Sequence, residues 1–117
     1  MIAMQSLGRF IVNLGPLEKI PRGEGRVFRI GRKPVAVFHS RDGSVFVTES
    51  TCPHKGGPLA DGLVGAQKVI CPLHGFVFDL SDGHPHGNNC KPLKTYPAMV
   101  SEQGEILVGV EEVLAAR

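Results

Sequence analysis

Short apolar runs recur along the chain, each closed by glycine, proline or a polar turn. They span Phe10–Leu14, Arg26–Ile30, Val35–Phe38, Ser44–Thr48, Lys68–Ile70, Phe76–Asp79, Lys94–Val100 and Ile106–Val110. Arg41-Asp42-Gly43 separates two of them with the composition of a hairpin turn, because Asp-Gly readily supplies positive φ. Ser81-Asp82-Gly83 closes another run, and Glu102-Gln103-Gly104 lies inside a final hairpin. Runs this short and this evenly punctuated predict an all-β fold, an antiparallel sandwich or barrel. The pattern leaves room for one helix, in the tail Glu111–Ala116, and for a turn near Leu17–Ile20. No repeat, low-complexity tract or domain boundary interrupts it.

Composition agrees with that pattern. Fifteen Gly and nine Pro make up about a fifth of the chain, against a usual ~12%, and they are spread along it, which marks frequent turns rather than disorder. The length, 117 residues, is that of one domain, 1–117, with a core over about 10–110 and short tails. A chain of this size buries roughly two thirds of its unfolded surface and needs no staple. A formal charge of +2 is too small to point to nucleic acid. No apolar run reaches the ~18 residues of a membrane span, and the start, Met1 to Phe10, lacks the pattern of a secretion signal. A cytoplasmic protein is expected. The basic run Arg22, Arg26, Arg29, Arg32 and Lys33 reads as a solvated strand face, although it could also dock an acidic partner.

Thr51 to Gly62 differs from the rest. It holds two Pro and three Gly and cannot form a central strand, so it is a long loop, of the kind that usually serves function in a small domain. Cys52 and His54 lie in it one residue apart, and Cys71 and His74 follow with two residues between them. Each pair ends an apolar run and is followed by glycine. Three cysteines, an odd count in a chain expected in a reducing compartment, argue for metal rather than disulfides. Structural zinc accepts two Cys and two His, but its usual knuckles pair like ligands, C-x2-4-C and H-x3-5-H. Mixed pairs suit a dinuclear cluster better, with Cys52 and Cys71 on one iron and His54 and His74 on the other. A zinc-stabilised binding module stays open as a reading of another class; a visible spectrum separates the two.

Cys52-Pro53-His54, followed after sixteen residues by Cys71-Pro72-Leu73-His74-Gly75, resembles the Rieske [2Fe-2S] pattern. The resemblance implies a Rieske-like β-sandwich with two cluster-binding loops. It also implies one [2Fe-2S] cluster per chain on Cys52, His54, Cys71 and His74, with electrons leaving by the two histidines. Cys52-Pro53-His54-Lys55-Gly56-Gly57-Pro58-Leu59-Ala60-Asp61-Gly62 most resembles the small subunit of NAD(P)H-dependent assimilatory nitrite reductase. That likeness implies a large flavin and sirohaem partner subunit that carries nitrite to ammonia. Cys90-Lys91-Pro92-Leu93-Lys94-Thr95-Tyr96-Pro97 looks more like the ferredoxins of aromatic-ring dioxygenases, whose partners are a reductase and an oxygenase. Neither likeness gives this chain a catalytic site of its own, and the sequence holds no Gly-x-Gly-x-x-Gly nicotinamide turn.

The remaining candidates have plainer readings. Cys90 lies outside both motifs and reads as a buried or unreactive thiol. His84 and His86 read as exposed loop residues, and His39, at the end of a strand, gets the same plain reading. High-potential relatives in the resembled superfamily join the two loops by a disulfide and place hydroxyls after the second histidine. Gly57 and Leu73, and Phe76 and Phe78, stand at those positions here, which implies a potential at the low end of the Rieske range of about −150 to +300 mV.

Overall fold

A computed structural model describes residues 10–53, 56–73, 75–87 and 90–110. Eleven antiparallel strands form three sheets among them. The strands are β1 (Ile11–Pro16), β2 (Glu24–Ile30), β3 (Lys33–His39), β4 (Val45–Glu49), β5 (Leu63–Gly65), β6 (Lys68–Ile70), β7 (Val77–Asp79), β8 (Pro85–His86), β9 (Thr95–Tyr96), β10 (Ala98–Val100) and β11 (Glu105–Gly109). The sheet orders are β1-β11-β10, β2-β3-β4-β9 and β5-β6-β7-β8. The all-β antiparallel expectation is borne out. So is the turn near Leu17, a short 3-10 turn over Leu17–Lys19. The expected tail helix lies outside the described residues.

The centre of the architecture is β3. Successive side chains of a strand point to opposite faces, and here both faces are buried. Val35 and Val37 face one way, into a core with Ile30, Val45, Val47, Tyr96, Ile106 and Val108. Ala36 and Phe38 face the other way, into a second core with Leu59, Val64, Val69, Phe78, Leu80 and the two thiols Cys52 and Cys71. The first core joins the sheets β1-β11-β10 and β2-β3-β4-β9 into a base. The second seats the sheet β5-β6-β7-β8 and the loop after β4 on the opposite side.

Several details differ from the sequence expectation. Lys94–Val100 is not one strand. Thr95 and Tyr96 pair with β4, whereas Ala98 to Val100 pair with β11. Pro97, with no N–H to give a ladder, sits where the chain passes between the sheets. Leu63–Gly65 and Pro85–His86 are strands that the apolar pattern does not mark. The basic run does not make one face. Arg26 shares a face of β2 with Phe28 and Ile30, Arg29 lies on the other, and Arg26 is paired with Glu24 at 3.0 Å.

The two halves also meet through side chains. Ala66 and Gln67 form the two-residue turn between β5 and β6, and both have positive φ, 50° and 59°. From that turn Gln67 Nε2 donates to Asp42 Oδ2 at 3.0 Å, reaching the turn between β3 and β4. Asp42 accepts from the Ser40 hydroxyl and the Ser44 N–H as well. These donors, Ser40 foremost, hold its carboxyl well below the usual carboxylate range.

Candidate metal centre

Cys52 and Cys71 come from two different loops, one after β4 and one after β6. Both are buried, each 1% exposed, in the second core. Local hydrogen bonds shape each loop. The Cys52 N–H donates to the Gly57 carbonyl at 2.8 Å, and the Gly56 N–H returns to the Cys52 carbonyl at 2.7 Å. Thr51 and Pro58 form a bridge across the mouth of that loop, and Leu59–Asp61 closes it with a 3-10 turn. In the second loop the Cys71 N–H donates to the Phe76 carbonyl at 2.7 Å. Gly56 and Gly75 have φ of 74° and 69°, a left-handed geometry that side chains resist. The Gly56 N–H is spent on the Cys52 carbonyl within its own loop.

The loops bring the two thiols together. Burial pushes the Cys71 thiol above its ordinary range, the Leu73 N–H pulls it partly back, and hydrogen bonding and charge from Cys52 push it up again. Two adjacent buried thiolates repel and are poorly solvated unless a cation joins them. A metal that takes both sulfurs removes that conflict, and a thiolate coordinated to metal is deprotonated outright. Gly57 packs its backbone against the Cys71 sulfur; a Cβ there would lie 2.9 Å from it. The donor pair, its burial and the cradle that a Cβ at residue 57 would fill fit an iron–sulfur centre. His54 and His74 lie outside the described residues. Among the described residues no three Cys, His, Asp or Glu side chains gather as a metal site. Cys90 is half-buried against the same core. Its thiol too is pushed up by burial and by the charge of Cys52.

The other histidines occupy defined places. His86 is exposed, as expected, but it belongs to β8 rather than a loop. It stands opposite Val77, with Nε2 3.7 Å from Asp79 Oδ2. His39 is buried rather than exposed, its Nδ1 2.6 Å from the Ile20 carbonyl oxygen, which ties the end of β3 to the start of the base. Strand position alone does not reveal that partner, which lies nineteen residues upstream.

Two loops on an all-β scaffold, each delivering a cysteine to one buried point and each carrying a histidine in its motif, match the plan of an iron–sulfur protein of the Rieske type. The Rieske [2Fe-2S] domain family matches residues 11–97, and the chain belongs to it. Ferredoxin CarAc of Metapseudomonas resinovorans is 35% identical over 88 residues, 74% of this chain and 80% of that protein. A candidate NADH-dependent nitrite reductase small subunit from Mycobacterium tuberculosis superposes with a TM-score of 0.77 at 26% identity, covering 85% of this chain and 93% of the other. The ferredoxin of carbazole 1,9a-dioxygenase from Nocardioides aromaticivorans IC177 gives 0.76 at 29% identity, covering 86% and 98%. The chain is thus a Rieske electron-transfer domain, and the family's cofactor is a [2Fe-2S] cluster. Among the described residues no helix is long and apolar enough to cross a membrane.

Proposed function

We propose that this chain works as a separate ferredoxin-type electron carrier. In this reading Cys52 and Cys71 hold one iron of its cluster, and His54 and His74 the other. The observation that carries the ligand assignment is the meeting of two buried thiols from separate loops in one core. When bound, the cluster supplies one-electron chemistry. The protein's own part is to hold the sulfurs in apolar surroundings and to bring the Gly57 backbone and the Leu73 side chain up against Cys71. Each choice bears on the potential, which in this class follows burial, hydrogen bonds to sulfur and solvent access.

The ferredoxin reading, with a flavin reductase as donor and an aromatic-ring oxygenase as acceptor in the cytoplasm, draws support from the 35% identity to a ferredoxin over most of both chains. It draws further support from the Cys90–Pro97 segment. A second reading, the small subunit of NAD(P)H-dependent nitrite reductase, is favoured by the Cys52–Gly62 loop sequence and by the fold match. In either case the chain acts as one Rieske unit and the substrate chemistry lies on a partner. Anaerobically purified protein should be brown and reducible, with two irons and two sulfides per chain. A colourless, zinc-loaded protein would sink both readings. Affinity purification from native cells then separates them: recovery alone or with an oxygenase supports the first, and recovery with a large flavin and sirohaem subunit supports the second.

A further inference from the structure

We propose that Gly57 and Leu73 form a non-covalent clasp between the two loops, acting as positioning residues for the Cys71 sulfur. This rests on the assignment of Cys71 as a ligand. Gly57 is bound to both halves of the centre. Its carbonyl takes the Cys52 N–H at 2.8 Å. A Cβ on it would meet Cys71 Sγ at 2.9 Å and Leu73 Cγ and Cδ1 at 3.1 Å each. Its φ lies outside the left-handed region, so backbone freedom does not explain a glycine there. Contact does: the Gly57 Cα is the floor on which the Leu73 side chain and the Cys71 sulfur rest.

Leu73 completes the arrangement. Its side chain folds back over Gly57, with Cγ and Cδ1 each 3.1 Å from where a Gly57 Cβ would sit. That side chain is 42% exposed, an apolar group left half in water beside a buried sulfur. It covers little core, so its place is better explained as a cover that keeps water from the sulfur. Opening the cover lets water stabilise the extra negative charge of the reduced centre, which moves the potential up.

The test uses the holoprotein. Gly65→Ala serves as control, because Gly65 has open space around its Cβ position and no left-handed φ. Gly57→Ala should release iron to a chelator roughly tenfold faster than the parent, on the scale of an overpacked contact, whereas Gly65→Ala should match the parent. Leu73→Ala should shift the midpoint potential upward and also speed release, and Leu73→Met should restore both. If Gly57→Ala does not accumulate with a cluster, the two Leu73 variants decide. Parental potential and release in Leu73→Ala, or control-like release in Gly57→Ala, would overturn the clasp. Cys71→Ser separates this from the underlying reading. Full iron in Cys71→Ser removes the ligand assignment, whereas iron loss there with silent clasp variants removes the clasp alone.

Discussion

The base and the metal end share β3 and are otherwise built differently. In the base, β1, β2, β4 and β11 are five to seven residues long and meet a core made almost wholly of Val and Ile. At the metal end the strands are two or three residues long, and the core mixes Phe38, Phe78, Leu59 and Leu80 with two thiols. β-branched residues in long ladders specify a sheet through propensity and repeated cross-strand pairs. Strands of two or three residues have short ladders, so the metal end depends more on turns, close contacts and whatever joins Cys52 to Cys71. The base should therefore hold its shape alone, while the metal end should keep its shape only with its centre filled.

The strongest way to break that comparison is to remove a sulfur. Cys52→Ser or Cys71→Ser should lose essentially all iron and sulfide, because a hydroxyl binds iron far more weakly than a thiolate, yet keep the β-sheet circular dichroism of the base. Cys90→Ser should keep full iron. Iron loss in that variant, or global unfolding in the first two, would contradict the division of labour drawn above.

Deletions in the two cores come next. Ile106→Ala should cost about 2–5 kcal/mol and Phe78→Ala about 3–5 kcal/mol, since both side chains are fully buried. The sharper expectation concerns what else moves. Ile106→Ala should lower the unfolding midpoint with chelator release unchanged, whereas Phe78→Ala should accelerate release as well. Equal release in both variants would mean that the cores are not separable.

The potential gives a smaller, quantitative check. With Gly57 and Leu73 where the resembled high-potential proteins carry a disulfide, and Phe76 and Phe78 where they carry hydroxyls, the midpoint should fall near the low end, about −150 mV. Protein-film voltammetry reads it directly, and a midpoint well above zero would show that these positions do not set it.

The smallest effect lies at the junction of the halves. Donors on Ser40, Ser44 and Gln67 lower the Asp42 pKa in the folded chain. A depressed folded pKa means stabilisation that is complete above the unfolded value near 4 and is lost as pH falls below it. The unfolding midpoint of the parent should therefore drop more between pH 5 and pH 2 than that of Asp42→Asn. Parallel curves would show that this carboxylate adds nothing.

Most of the base can be read from the residue pattern, because its longer strands are apolar runs bounded by glycine, proline and polar turn residues. Both cysteine motifs are equally legible, since two Cys/His pairs ending apolar runs have few other meanings. What escapes is short or set by distant partners. Leu63–Gly65 and Pro85–His86 are too brief to show a period. The division at Pro97 depends on which sheet each side meets. The contact of Gly57 with Leu73 joins residues sixteen positions apart in the chain, and no local rule links a glycine to a leucine at that distance.

The turn at Ala66 and Gln67 has a consequence for engineering. Neither residue suits a left-handed backbone, where Asn-Gly is the favoured pair, and each such residue costs roughly 1–2 kcal/mol. A designer scanning for stabilising changes would choose Ala66→Asn with Gln67→Gly. Only the first is a clean gain, because the second deletes the amide that reaches Asp42. An optimised hairpin would be more stable on its own and more loosely tethered to the base, so thermostability and rigidity of the metal end would part company at residue 67.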